Sequence, residues 1–200
     1  MATYDMPAIS YIRAAKFGLK TNTQTFTSPL TQQVQRAELG GARWFATYEV
    51  KPTTRAEAAT VLAFLVKLRG AANLFNGYDP SGATPRGTAT GTPMVSGGGQ
   101  VGTQLLTDGW TPSITALKAG DYFSVNGELK MVVQDCSADS GGVATITFEP
   151  ALRASPIDNA PITVTGATCT MRLIDDDQAS WDVDEASLFG ISFSGVEAFI

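Results

Sequence analysis

The densest group of side chains that could do chemistry is acidic and lies near the C-terminus. Asp175-Asp176-Asp177 is followed by Asp182, Asp184 and Glu185. Carboxylate oxygens suit Ca²⁺, but an EF-hand loop needs a central glycine and a carboxylate at its twelfth position. The stretch from Asp175 to Ala186 has no glycine and ends in alanine. We expect a solvated turn or a surface that faces a basic neighbour; a calcium site of another type and a glycosidase carboxylate pair stay open.

The sequence contains no histidine, which excludes a Ser/His/Asp triad, a Cys/His dyad and imidazole metal ligands. Cys136 and Cys169 cannot form a zinc site by themselves, and two thiols do not suggest a secreted disulfide framework. Each lies in an apolar or β-rich stretch, so we predict two buried, reduced thiols. Because the sequence also lacks a nucleophile motif, we predict that the protein is not an enzyme and holds no metal or cofactor.

A glycine-rich stretch from Gly97 to Gly102 matches the G-x-G-x-x-G pattern of dinucleotide-binding proteins. Such a site needs a strand before it and a helix that opens at the third glycine, so that the pyrophosphate meets the helix N-terminus. Here Thr103 to Leu106 runs into Asp108-Gly109 instead. We therefore predict a flexible or inserted loop.

The composition favours short strands and many turns. Hydrophobic residues make up 44% of the chain and charged residues 16%, with 20 glycines and 10 prolines, which is too apolar for a disordered chain. No apolar run approaches the roughly 18 residues that cross a bilayer, and the N-terminus lacks the pattern of a signal peptide. We expect a soluble protein, made in the cytoplasm, without membrane insertion.

Local patterns indicate the elements of a mainly β fold with one α-helix. Residues Trp44 to Val50 alternate as a strand buried on one face does. Residues Arg55 to Arg69 form the predicted helix, because Thr54 and Glu57 have the spacing of a capping box and an apolar stripe follows. Asn126-Gly127 joins two alternating runs, the strongest short signal of a hairpin. The predicted stripe consists of Ala58, Val61, Leu62, Leu65 and Leu68.

These patterns divide the chain into two β units of an α+β fold. Residues 1–80 and 175–200 are predicted to form one β unit, in which the helix covers one face of the sheet. Within it, the Thr/Gln-rich stretch 21–35 fits strands or an extended loop at a sheet edge. Residues 81–102 are predicted to be a Gly/Pro-rich connection, and residues 103–174 a small inserted β-barrel or sandwich.

Charge is distributed unevenly along the chain. Residues 1–86 carry ten Lys and Arg and five Asp and Glu, whereas residues 87–200 carry four and fourteen. The cations are scattered, which argues against sequence-specific nucleic-acid binding. Opposite charges in two parts of one chain suit head-to-tail or ring assembly. We predict that the basic N-terminal part contacts the acidic C-terminal part of an adjacent subunit or another partner.

Several segments in both parts of the chain carry a resemblance to a known family: Met6-Pro7-Ala8-Ile9, Lys16-Phe17-Gly18-Leu19, Phe26 to Thr31, Gly40-Gly41 with Trp44, Lys118 to Phe123, Phe148 to Arg153 and Phe193 to Ala198. They resemble the structural proteins of bacteriophage tails. In layout the chain looks most similar to the distal tail protein of long-tailed phages.

The resemblance implies a tail-tube-like β-sandwich with a second small β-domain. It implies a virion structural protein that forms a ring oligomer, commonly a hexamer, around the DNA channel and joins the tail tube to the tail tip or baseplate hub. The partners would be further copies, the tail tube protein and the hub proteins, and virion assembly would take place in the host cytoplasm. A tail tube subunit and a tail completion factor are alternatives within the family. No active-site residue is implied.

A function of another class is a carbohydrate-binding module that recognises the host surface. Sugar sites expose aromatic rings together with polar side chains. Trp110 and Tyr122 in the 103–174 unit are the rings that such a module would use, and we predict that they belong to the core instead. Trp44 and Trp181 are scattered elsewhere in the sequence.

Overall fold

The computed structural model of the protein describes residues 1–7 and 12–199. Of the residues that carry the resemblance, Ala8 and Ile9 lie outside these ranges. The described chain is mainly β with a single α-helix, which confirms the predicted fold class. No helix in these two ranges has the length and apolar character needed to cross a membrane.

The elements follow one another in this order: β1 Thr3–Asp5, β2 Ile12–Thr27, β3 Val34–Thr53, α1 Arg55–Leu68, β4 Leu74–Gly77, β5 Gly91–Val95, β6 Gln104–Trp110, β7 Thr115–Leu117, β8 Tyr122–Val125, β9 Glu128–Val132, β10 Cys136–Ser137, β11 Ala144–Glu149, β12 Cys169–Leu173, β13 Trp181–Val183 and β14 Phe189–Glu197. Short 3-10 turns lie at Gly70–Ala72 and Pro80–Gly82.

The larger sheet has seven strands in the order β1-β4-β12-β14-β3-β2, with β13 paired to β14. The predicted alternation of β3 is confirmed: its four apolar residues at even positions from Trp44 to Val50 are buried. Helix α1 packs on that face, where the Phe64 ring meets the rings of Phe75 and Phe193 edge-on at centroid distances of 5.9 and 6.3 Å. Phe64 thus joins the predicted stripe, whereas Leu62 is only half-buried.

The helix begins at the predicted residue, Arg55, and ends at Leu68, one residue before the predicted end. The backbone N–H of Thr54 donates to Glu57 Oε2 over 3.1 Å, which is one half of the capping box. At the other end Arg69 has φ 53° and Gly70 has φ 63°, a left-handed exit that glycine adopts without strain. A Cβ on Gly70 would also collide with Asp176. Glycine is therefore required there both by the backbone conformation and by the lack of space for a side chain.

The smaller unit is inserted between β4 and β12. Its five-stranded sheet has the order β5-β6-β11-β9-β8, and β7 and β10 form a separate pair. Residues 161–163 bridge both edges of that sheet, through Met94 paired with Pro161 and Ser124 paired with Thr163. The unit is therefore a closed barrel. Asn126 and Gly127 have φ 53° and 73° between β8 and β9, as the predicted hairpin turn requires.

Two strands lie outside the units predicted for them. Residues 91–95, inside the predicted connection, form β5 and pair with β6. Its Pro93 is tolerated because the register of β5 and β6 shifts between Gly91 and Met94, and proline is found at such irregular positions of a strand pair. Strand β12, inside the predicted 103–174 unit, pairs with β4 and β14 in the larger sheet. Every second residue of β12 is buried, but such a local pattern does not specify the partner strand.

The carboxylate of Asp121 fixes the chain where it enters the barrel. It accepts hydrogen bonds from the backbone N–H groups of Lys118, Arg86 and Gly87 over 2.8, 2.9 and 3.1 Å. Burial alone would raise the pKa of Asp121, but these donors outweigh it and hold the pKa below its ordinary value. A carboxyl group of this kind stabilises the fold above its unfolded pKa and loses that effect as the pH falls through the folded pKa.

We therefore expect Asp121→Asn to lower the free energy of unfolding by about 2–4 kcal/mol at pH 7, because it removes charge-assisted hydrogen bonds from a buried site. Urea unfolding followed by circular dichroism measures this loss, and the gap to the wild type should shrink below about pH 4. The control is Asp182→Asn, the same change at an exposed carboxylate. Equal losses in both variants would contradict the assignment.

Candidate functional site

Both cysteines are buried, as predicted, and they lie in different hydrophobic cores. Cys136 lies in the barrel core and Cys169 in the core of the larger sheet, and neither forms a disulfide. Burial raises the pKa of both thiols. Raised pKa values keep sulfur in its less reactive thiol form, so both cysteines act as packing groups.

The glycine-rich stretch 97–102 connects the antiparallel strands β5 and β6, and no helix begins there. The side chain of Gln100 fills the loop. Its Oε1 accepts from the N–H of Leu106 over 2.6 Å, and its Nε2 donates to the carbonyls of Ser96 and Gly97 over 2.9 Å each. The dinucleotide pattern is thus a hairpin connection, in agreement with the predicted loop.

The carboxylates near the C-terminus lie on residues 174–188, here called the acidic segment. All six are exposed. Asp176 accepts from the N–H of Ala71 over 2.9 Å, and Asp184 accepts from the N–H of Leu188 over 2.8 Å. Over residues 1–7 and 12–199, no group of three or more potential ligands is placed to hold a metal ion. These contacts order the turns of a solvated segment.

The rings that a sugar platform would need are in the core, as predicted. Trp110 is only 3% exposed, and its indole N–H donates to Thr107 Oγ1 over 2.8 Å. Tyr122 is 7% exposed and packs edge-on against Trp44 at a centroid distance of 5.7 Å. Neither ring can stack on a ligand at the surface. Trp181, in contrast, lies exposed on the acidic segment.

Four charged side chains form a network where the barrel meets the larger sheet, here called the charge junction: Glu128, Lys130, Arg153 and Glu197. Lys130 Nζ contacts Glu128 Oε2 over 2.7 Å and donates to the carbonyl of Ala151 over 2.8 Å. Arg153 contacts Glu197 Oε1 over 2.7 Å. Glu197, which belongs to β14, also accepts from the N–H of Trp44 over 3.0 Å. The network therefore links β9 of the barrel to β14 and β3.

The charge junction is buried but internally compensated. Lys130 and Glu197 are inaccessible to solvent, and Glu128 is nearly so. Burial raises the pKa of Glu128, but hydrogen bonds from Lys130 and Arg153 outweigh it and hold the pKa below its ordinary value. Burial also lowers the pKa of Lys130. Two cations face two carboxylates, so the site serves to join the two units.

The most prominent exposed feature is a hairpin arm, residues 20–43, formed by the distal parts of β2 and β3. Beyond Lys20 and Arg43, Asn22–Thr27 pair with Val34–Leu39, and within the described chain no other strand pairs with this part. Six residues of strand extend about 20 Å. Between Lys20 and Asn22 the register shifts opposite Gly40 and Gly41, and Gly41 has φ 100°. This bulge separates the arm from the sheet.

The arm presents apolar side chains to solvent. Phe26 is 62% exposed and Leu30, at its tip, is 93% exposed. Val34 and Leu39 are also exposed. A two-stranded hairpin that pairs with no further strand is marginally stable in water, and contiguous exposed apolar surface marks interaction sites. The arm therefore exposes apolar side chains at its tip and on both of its strands. Sequence reasoning found only its extended character, because neither face shows an apolar alternation.

No protein-family model matches the sequence, and no curated protein matches it at a significant level.

The charge junction predicts a large effect of removing one charge. Lys130→Met leaves Glu128 buried without its nearest cation, because Arg153 Nε lies farther away, at 3.9 Å, and we expect a loss of about 3–5 kcal/mol in the free energy of unfolding. Adding Glu128→Gln should recover part of that loss, because the two residues are coupled. Urea unfolding of both single variants and the double variant measures the coupling.

Lys118→Met is the matched control for this cycle, because Lys118 is exposed and its loss should change stability by less than about 0.5 kcal/mol. The junction would be unimportant if Lys130→Met cost no more than this control. Strict additivity of the two single variants would show that their charges do not interact.

Proposed function

We propose that this protein is a structural protein of a bacteriophage tail whose copies close into a ring around the DNA channel. In this proposal the ring joins the tail tube to the tail tip or baseplate hub. The observation that carries the proposal is the arm, which projects from a packed sheet with Phe26 and Leu30 exposed. A projecting arm on a well-packed body is an element through which identical subunits join.

The geometry of the arm supports a ring better than a two-fold dimer. The arm leaves one end of the larger sheet, and a second exposed surface with a different character, the acidic segment, lies at another end. When one surface of a subunit meets a different surface of the next and the second subunit does not return the same contact, the interface is heterologous, and it closes into a ring if the rotation permits. Strand β2 adds an open edge, since among the described residues it pairs with β3 alone.

The buried polar groups support a role as a scaffold. The charge junction holds the barrel on the sheet, Asp121 fixes the entry to the barrel, and Gln100 orders the loop at 97–102. Each group is used to fix the relative positions of strands. Rigid subunits of this kind suit an assembly whose task is to hold its partners in place.

The first test is the mass and symmetry of the purified full chain, by native mass spectrometry with negative-stain class averages. We expect a closed ring, as a hexamer, with a central hole wide enough for DNA. Stacked rings would indicate a tail tube subunit instead. A strict monomer at low salt and high protein concentration would contradict the proposal.

The arm allows a sharper version of this test. We expect Phe26→Ser combined with Leu30→Ser to abolish ring formation, because both apolar side chains would lose their partner surface. The same variant should change the free energy of unfolding of the single chain by less than about 0.5 kcal/mol, since both residues are exposed. Sedimentation velocity separates ring from monomer.

Ile157→Ser is the matched control for the arm variant, because Ile157 is 73% exposed but lies on the barrel. The control should assemble as the wild type does. Rings formed equally well by the arm variant and the wild type would show that the arm takes no part in assembly.

A further inference from the structure

The arm and the acidic segment leave the larger sheet at opposite ends. Arg43 marks the base of the arm on β3, whereas Val50 of the same strand pairs with Ile191, whose other neighbour is Trp181. The eight residues from Arg43 to Val50 are separated by seven steps, or about 23 Å of extended strand, and the arm runs on in the other direction. The two surfaces of one molecule therefore cannot meet each other.

The two surfaces carry opposite charge. The arm has three cations, Lys20, Arg36 and Arg43, against the single carboxylate of Glu38. None of the three cations belongs to an ion pair among the described residues, and Lys20 lies directly across from Arg43 in the strand pair. The acidic segment has six carboxylates and no Lys or Arg. Like charges in such proximity repel, so each surface gains from an oppositely charged neighbour.

The two surfaces also share exposed apolar side chains. On the acidic segment Ile174, Trp181 and Val183 are exposed, with Trp181 at 45%. On the arm the corresponding groups are Phe26, Leu30, Val34 and Leu39. Apolar groups framed by charge are the arrangement of a protein interface, in which the apolar centre excludes water and the charged rim fixes the register.

We propose that the acidic segment of a neighbouring copy is the surface that receives the arm. Phe26 and Leu30 would cover Trp181 and Val183, while Lys20, Arg36 and Arg43 would face the carboxylates. The inference rests on the proposed function, because it names the surface through which one ring subunit holds the next. The occupant is a second copy of this chain, and the contact is heterologous.

Trp181 supplies a direct readout of this contact. Of the three tryptophans, Trp44 and Trp110 are 2% and 3% exposed, so quenching of the chain's fluorescence by acrylamide reports mainly on Trp181. We expect quenching to decrease as the protein concentration rises and the ring forms. High salt should reverse the decrease in part, because it screens charges at an interface rim.

A charge swap tests which surfaces meet. Lys20→Glu with Arg36→Glu reverses the charge of two cations on the arm. Asp182→Lys with Glu185→Lys reverses the charge of two carboxylates on the acidic segment. We expect each reversal alone to weaken association at least about tenfold through repulsion across the interface. All four substitutions in one chain should restore association and the protection of Trp181. Lys118→Glu with Arg55→Glu, at exposed cations elsewhere, is the matched control, and circular dichroism verifies that every variant is folded.

The outcomes separate this inference from the proposed function. Rings in which Trp181 stays as accessible to acrylamide as in the monomer would overturn the inference and leave the ring intact. The inference would also be overturned if both charge-reversed variants associated as strongly as the wild type. A wild-type chain that never associates would contradict both. The contact would be established if each charge reversal alone weakened association and the variant with all four substitutions regained it.

Discussion

The buried charge junction is the interaction on which the arrangement of the two units depends. Glu128 and Lys130 come from the barrel, Glu197 from the larger sheet, and Arg153 contacts carboxylates of both. Removing a charged group from water costs free energy unless the group has an oppositely charged partner and its remaining hydrogen bonds are made. Here the partners come from both units, so the charges are compensated only when the barrel sits in one position. Trp44 strengthens this position by donating from its indole N–H to the carbonyl of Leu129.

A fixed junction gives the arm a rigid base. Trp44, whose backbone N–H donates to Glu197 Oε2, directly follows Arg43 at the base of the arm. The guanidinium groups of Arg43 and Arg153 stack on the Phe199 ring at 4.1 and 4.5 Å. The contacts that hold the barrel therefore also hold the strand from which the arm leaves. A rigid base limits the directions in which the arm can reach a neighbour, which is what a closed ring requires.

Local signals predicted the parts of the fold that are determined by neighbours in sequence. The helix from Arg55, the alternation after Trp44 and the Asn126-Gly127 turn each depend on a few consecutive residues. The charge junction was not predicted, because Glu128 and Glu197 look like surface carboxylates until distant strands bring them to Lys130 and Arg153. The arm was only partly predicted: its strands are exposed on both faces, so the apolar period that identifies a strand is absent there.

Hydrogen–deuterium exchange of the backbone amides measures whether another copy of the chain covers the arm. A lone hairpin opens readily, so amides at 22–39 should exchange quickly in dilute, monomeric protein. In concentrated, assembled protein they should become protected, together with those of the acidic segment, while exchange at the charge junction stays unchanged. An arm that exchanges equally fast in both conditions would contradict the account.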